Sequence, residues 1–185
     1  MILDFFEILL NTGFWAATIR IACPLIFATL GELICERAGV LNLGIEGIMT
    51  VGAMVGWTTV YLGAELSSGV ICAALIGAIF GLIHAHFTVY LGASQHVTGI
   101  GITLLASSLS YFAFRLILPS STTPPKIDAF QPIHIPILSD IGFLGPILFQ
   151  HTAFTYFAFL MVPITMWLIN KSPFGLAIKM AGENP

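Results

Sequence analysis

Long apolar segments dominate the sequence and decide what it can fold into. A helix that crosses a bilayer needs about 20 predominantly apolar residues, because a rise of 1.5 Å per residue must cover roughly 30 Å of hydrocarbon. Segments of this length and character lie at approximately 13–35, 44–64, 68–91, 97–118 and 151–170. They predict an all-α fold, a polytopic transmembrane bundle of about five spans.

The composition argues against a water-soluble alternative. Hydrophobic residues make up 57% of the 185 residues and charged residues only 8%, whereas a soluble domain carries about 25% charged residues. A soluble chain of this length could not bury so much apolar surface. The net charge is −3 and the six basic residues are scattered, so no nucleic-acid partner is indicated. The partner that the composition does indicate is the lipid bilayer.

The segment at 119–150 has a different character from the predicted spans around it. It contains six of the ten prolines of the chain, and its backbone groups could not all be satisfied in lipid. We therefore predict an extracytoplasmic loop or cap here, within a transmembrane domain at 1–170. The remaining residues, 171–185, leave the apolar run through Lys171-Ser172-Pro173 and are predicted to form a cytoplasmic segment.

The basic residues of the short loops predict the orientation. If 36–43 faces the cytoplasm, that side holds Arg37, Lys171 and Lys179, and the opposite side holds Lys126. Lys and Arg are enriched in cytoplasmic loops. The N-terminus is therefore predicted to lie outside and the C-terminus in the cytoplasm.

Small residues recur every four positions in the third predicted span. Such a ridge lets helix backbones approach closely where lipid supplies no hydrophobic drive for association. The second span carries a pair of glycines at the same spacing, and both sets are interpreted as structural. The ridge comprises Gly69, Ala73, Gly77, Gly81 and Ala85, and the pair is Gly52 and Gly56.

The stretch LNLGIEG, at 41–47, is the strongest candidate for a functional site. Asn42, Gly44 and Glu46 stand at the start of an apolar segment, and an ionisable residue at membrane depth indicates function by default. The pattern describes a glycine-loosened helix start with one buried carboxylate. The structural alternative makes Asn42 the N-cap and places Glu46 near the positive end of the helix dipole. The sequence leaves both interpretations open.

No motif for chemistry accompanies this stretch. The sequence has no GxxxxGK[ST] phosphate loop, no HExxH and no Cys/His cluster, and its three cysteines show no CxxC spacing. A membrane protease would need a serine and a partner histidine, and GASQH at 92–96 lacks the second glycine of a GxSG element. We therefore predict no catalytic residues, no metal, no cofactor and no enzymatic activity.

Two segments resemble a known family. ERAGVLNLGIEGIMTVGAMVG at 36–56 and SPFGLAIKMAGENP at 172–185 are similar to the signature and the cytoplasmic coupling loop of ABC importer permeases. The resemblance is to the group for monosaccharides, branched-chain amino acids and nucleosides, in particular its nucleoside and simple-sugar permeases. It implies a transport subunit for a small polar solute in the bacterial inner membrane, with nucleosides favoured over simple sugars.

The resemblance also implies partners and roles for individual residues. The expected partners are a cytoplasmic ABC ATPase subunit, a second permease subunit, and an extracytoplasmic solute-binding protein or lipoprotein. Asn42, Gly44 and Glu46 would lie near the substrate pathway. Contact with the ATPase would fall to Phe174, Gly175, Lys179, Gly182, Glu183 and Asn184.

Two further expectations accompany the resemblance. In the family, the GENP element is followed by further transmembrane helices, so the chain is expected to be a fragment or a truncated permease. A stand-alone secondary transporter or channel is the alternative function, and it would use Glu46 for ion coupling without any ATPase.

Overall fold

Long helices account for most of the chain, and the predicted all-α fold is confirmed. The computed structural model describes residues 7, 10–120 and 123–183. The helices are α1 (Thr12–Arg37), α2 (Ile45–Tyr61), α3 (Leu66–Ala85, continued by a π-helix at His86–Tyr90), α4 (Gln95–Ile117), α5 (Leu144–Leu148), α6 (Ala153–Lys171) and α7 (Pro173–Glu183). Two short strands, β1 (Ile133–His134) and β2 (Gln150–His151), flank α5.

Within the described residues, four helices are long and apolar enough to span a bilayer. They are α1, α3 with its π-helical continuation, α4 and α6. The helix in the remaining predicted span, α2, has 17 residues. It is therefore about 25 Å long, which is less than the roughly 30 Å of hydrocarbon in a bilayer. The helix is short because it begins only after a non-helical loop at 38–44.

The chain divides into two compact units. The first comprises 1–31 and 130–176, and the second comprises 32–129 and 177–185. In the second unit, α2 packs against both α3 and α4. The buried residues between these helices are Val51, Phe80, Ile102 and Ala106.

The small-residue ridge of α3 meets α2, but only along part of its length. A Cβ added at Gly69 would lie 2.9 Å from the carbonyl oxygen of Gly56, and one added at Gly56 would lie 3.3 Å from the Cβ of Ala73. The backbones therefore touch where the glycines face each other. At Gly81 an added Cβ would meet nothing within 4 Å, so the ridge makes no contact there in the described residues.

The first unit contains a small cap, residues 130–152, which precedes α6. Its strands pair antiparallel, and Ser139, only 2% exposed, holds the turn between them. The Ser139 hydroxyl accepts the N–H of Ile135 at 2.9 Å and donates to the carbonyl of Phe149 at 2.8 Å. The proline-rich segment is thus organised by side-chain hydrogen bonds and not by a long helix. In the same unit, Phe27 of α1 and Phe157 of α6 lie 5.8 Å apart between ring centroids.

Candidate functional site: the loop between α1 and α2

The backbone of loop 38–44 is satisfied by side chains. Gln95 Oε1 accepts the N–H of Leu41 at 2.7 Å, and Glu32 Oε1 accepts the N–H of Asn42 at 2.8 Å. The side chain of Asn42 in turn accepts the N–H of Gly44 at 2.9 Å. Backbone polar groups that are shielded from water are nearly always paired in folded proteins. The loop meets that condition through Glu32, Asn42 and Gln95.

The carbonyl groups of the same loop are held by α4. The side-chain amide of Gln95 donates to the carbonyl of Gly39 at 3.1 Å, and the hydroxyl of Thr103 donates to the carbonyl of Leu43 at 3.2 Å. Gln95 therefore holds the loop at two points, and Thr103 holds it at a third. The N-terminal part of α4, from Gln95 to Thr103, therefore holds the loop in place.

Three glycines allow this close approach. A Cβ at Gly99 would lie 2.8 Å from the Cβ of Leu43, and one at Gly44 would lie 3.0 Å from the Cγ2 of Ile102. At Gly47, an added Cβ would collide with the backbone of Thr103. Gly44 itself has a right-handed helical backbone, with φ −81°. The expectation that glycines loosen the helix start is therefore wrong, since they seat it tightly against α4.

Asn42 is not the N-cap of α2. The N-cap is Gly44, which supplies no side chain, and the first helical hydrogen bond runs from the N–H of Ile48 to the Gly44 carbonyl. Asn42 instead closes an Asx turn onto the residue two positions later. This turn extends the non-helical segment up to Gly44, which is why the helix begins later than a cap at Asn42 would allow.

Glu46 lies in the first turn of α2, and its side chain is exposed in the described part of the chain. The expectation of a buried carboxylate is therefore wrong. Apolar neighbours in the sequence do not determine the direction of a side chain on a helix, and Glu46 lies on the face opposite the α4 contact made by Gly44 and Gly47. A carboxylate in a first turn stabilises a helix by about 0.3–1 kcal/mol. The geometry thus fits the structural alternative for Glu46.

Sequence reasoning missed the residues that hold the loop. Glu32 resembles an ordinary interfacial helix end in the sequence, yet one of its oxygens binds Asn42, and the other, Oε2, is buried with no hydrogen-bond partner among the described residues. His84 is 2% exposed, its Nε2 also has no partner there, and the charge of Glu32 acts on it. The sequence did contain one signal for this role. Glu32 lies more than one helical turn before Arg37, inside the predicted first span, and an ionisable residue inside a span requires a partner.

The predicted coupling segment forms α7, and its glycines point inward. Gly175 is buried, and an added Cβ would collide with the carbonyl groups of Leu168 and Ile169 at the end of α6. Three apolar side chains of α7 are exposed instead: Phe174 at 59%, Leu176 at 62% and Met180 at 59%. Among the other predicted residues, Lys179 is half-buried, Glu183 is exposed, and Asn184 lies outside the described residues.

The far end of α7 contacts the loop directly. An added Cβ at Gly182 would collide with the carbonyl of Arg37 and would lie 3.0 Å from the amide nitrogen of Gly39. Gly39 has φ +81°, a conformation that favours glycine. The two candidate regions, LNLGIEG and the coupling segment, are therefore joined through the start of loop 38–44. Among the described residues, no group of three His, Cys, Asp or Glu side chains could hold a metal ion.

Four of the described helices are apolar and long enough to span a membrane, and a loop held by side chains precedes the short helix α2. These features define the protein as a polytopic membrane protein. The chain belongs to the family described as branched-chain amino acid transport system / permease component, which matches residues 15–185. The resemblance inferred from the two sequence motifs is thereby confirmed.

Several curated relatives are permeases named for their solutes. The chain is 36% identical over 176 residues to the guanosine ABC transporter permease NupQ of Bacillus subtilis, covering 91% of this chain and 55% of the relative. It is 34% identical over 172 residues to the nucleoside ABC transporter permease NupC of Lactococcus lactis, with 88% and 53% covered. A putative glucose ABC transporter permease of Haloferax volcanii is 34% identical over 177 residues, with 94% and 52% covered.

The chain spans about half the length of these curated relatives. No solved structure is significantly similar to it.

Proposed function

We propose that the protein is a transmembrane permease subunit of an ATP-driven ABC importer, and that its solute is a nucleoside. The observation that carries the proposal is the similarity, over most of the chain, to permeases named for guanosine and for nucleosides. A simple sugar is the second candidate solute, because a similarly related permease is named for glucose.

The proposal includes partners and a location. ATP would be hydrolysed by a separate cytoplasmic ABC ATPase subunit, since this sequence has no phosphate-binding loop. A second permease subunit and an extracytoplasmic solute-binding protein or lipoprotein would complete the transporter. The distribution of Lys and Arg supports a bacterial inner-membrane location with the N-terminus outside and α7 in the cytoplasm.

Loop 38–44 and the start of α2 are the proposed contribution to the substrate pathway. Broken helices with side-chain-satisfied loops present polar groups to solutes in many transporters, and Asn42, Gly44 and Glu46 stand at such a break. Glu46 is exposed, which is required of a residue that meets a solute but also fits the structural alternative described above. Alternating access would then require the break to change its surroundings during the cycle.

The proposed ATPase contact is the exposed apolar side of α7. Leu176 and Met180, four residues apart, share that side, and Phe174 is a third exposed apolar residue near the start of the helix. An apolar helix face of this kind docks into a groove on a partner. Gly175 and Gly182 would seat α7 on the permease and would not touch the ATPase, because their added Cβ atoms would meet the backbone of this chain.

A charge on this side of α7 is expected to prevent ATPase docking. Leu176→Glu combined with Met180→Glu should weaken ATPase binding at least about tenfold, since buried apolar anchors carry most interface energy. Titration of the purified ATPase against the permease in nanodiscs measures the effect. The control is Ile137→Glu, which charges an exposed apolar residue of the cap, 83% exposed, in place of α7. Equal affinity in the α7 variant and the control would contradict the docking assignment.

Uptake by the reconstituted transporter tests the function and the solute together. Proteoliposomes that contain the permease with its partners should accumulate labelled guanosine when ATP is supplied to the ATPase side, and should accumulate glucose poorly. Preferential glucose accumulation would assign the sugar alternative. Accumulation driven by an ion gradient without ATP would reject the importer in favour of a secondary transporter or channel that uses Glu46.

A further inference from the structure

Loop 38–44 lies between the end of α7 and the start of α2, and it contacts both. At one end, Gly39 and the carbonyl of Arg37 pack against Gly182 of α7. At the other end, Gly44 is the N-cap of α2. A displacement of the end of α7 therefore acts on the loop within a few residues of the break that carries Asn42 and Glu46.

Gln95 is hydrogen-bonded to the part of the loop that a displacement of α7 would reach first. Its amide nitrogen binds the carbonyl of Gly39, the residue that touches Gly182, and its amide oxygen binds the N–H of Leu41. Glu32 continues the same restraint one residue further by accepting the N–H of Asn42. These three hydrogen bonds make residues 39–42 a stiff connection.

The restraint leaves two buried polar atoms without partners. Glu32 Oε2 and His84 Nε2 make no hydrogen bond within the described residues, although the charge of Glu32 acts on His84. A buried polar group without a partner is destabilising. Holding the loop therefore carries a cost in stability at Glu32 and His84.

We propose that Gln95 and Glu32 are positioning residues that transmit movement of α7 to the start of α2. The proposal rests on the proposed function as an ATP-driven importer. It assigns roles to two residues outside both the LNLGIEG stretch and the coupling segment. Neither residue needs to touch the solute or the ATPase, because each acts through the backbone of loop 38–44.

The test is the number of solute molecules imported per ATP hydrolysed, measured on the complete transporter in proteoliposomes. Gln95→Leu keeps the size of the side chain and removes both hydrogen bonds. It should lower this ratio about tenfold, since the loss of two partly exposed hydrogen bonds together has an effect of that size. Binding of the ATPase should persist, because the exposed side of α7 is unchanged. His96→Leu is the matched control, since His96 is the adjacent and exposed residue on α4, and it should keep the ratio of the unaltered protein.

A second test compares a conservative and a non-conservative substitution of Glu32. Glu32→Gln keeps an acceptor for the N–H of Asn42 and should couple nearly normally, whereas Glu32→Leu should behave like Gln95→Leu. A merely structural role would lower the amount of assembled transporter without changing the ratio of uptake to hydrolysis. If Gln95→Leu fails to assemble, Gln95→Glu decides the matter, because it keeps the acceptor for Leu41 and removes only the donor to Gly39.

The outcomes separate the two proposals. A normal ratio in Gln95→Leu, or in Gln95→Glu where the leucine variant does not assemble, would overturn the positioning role. The same holds if Glu32→Gln and Glu32→Leu are equally impaired. If the unaltered transporter shows no ATP-dependent uptake, the proposed function itself fails, and that result is visible before any variant is compared.

Discussion

Replacing Gly47 by alanine is expected to destabilise the protein by about 3 kcal/mol, near the upper end of the usual cost of overpacking a close-packed interior. Gly47 is buried, and an added Cβ would collide with the Cα of Thr103 and lie 3.2 Å from the carbonyl oxygen of Ile102. These are backbone atoms of α4, so no side-chain rotation can relieve the overlap. Unfolding of the purified permease in mixed micelles with increasing denaturing detergent measures the change.

Gly81→Ala is the matched control for this substitution. Gly81 is also a glycine inside an apolar helix, but an added Cβ there would meet nothing within 4 Å. Alanine in place of glycine within a helix is favourable by about 0.5–1 kcal/mol, so the control should be neutral or stabilised. If Gly47→Ala were as stable as Gly81→Ala, the close crossing of α2 and α4 would be refuted.

Gly182→Val is expected to reduce ATP-driven uptake by at least about tenfold, which corresponds to a little over 1 kcal/mol lost from the contact. The branched side chain would be forced against the carbonyl of Arg37 and the amide of Gly39. Because those atoms also belong to backbone, the end of α7 must move away from loop 38–44. ATPase binding should be reduced less than uptake, because Leu176 and Met180 stay exposed on the other side of α7.

The control for Gly182 is its neighbour Ala181, which is exposed. Ala181→Val adds a side chain of the same shape to the same turn without a backbone clash. Uptake assays in proteoliposomes should find this variant close to the unaltered protein. Equal losses in the two variants would show that the size of the residue in α7 matters and that the contact with Gly39 does not.

The sequence predicted the features that depend on local pattern. Each apolar segment contains a helix, and the four-residue spacing in α3 predicted a ridge of small residues because spacing alone determines which face they share. Part of this ridge contacts α2 at Gly56. The same spacing could not predict that Gly81 has no neighbour. The extent of a contact depends on the crossing of two helices, which no single segment encodes.

The candidate site was predicted only in its position along the chain. The hydrogen bond between Gln95 and Leu41 joins residues 54 positions apart, and nothing in either segment indicates that pairing. Glu46 has the most conspicuous charge in its segment but is exposed, whereas Glu32 resembles a helix end and holds the loop. Side-chain direction and long-range pairing decide these roles, and both are properties of the packed structure.

The mounting of loop 38–44 on α4 has a consequence for biogenesis. The acceptor for the Leu41 amide and the donors for the carbonyls of Gly39 and Leu43 all belong to α4, which is synthesised after α2 and α3. Until α4 emerges from the ribosome and inserts, these loop groups have only water as a partner. The nascent chain must therefore keep this loop hydrated after its flanking helices are made, and the seating of α2 against α4 is completed only when the fourth helix arrives.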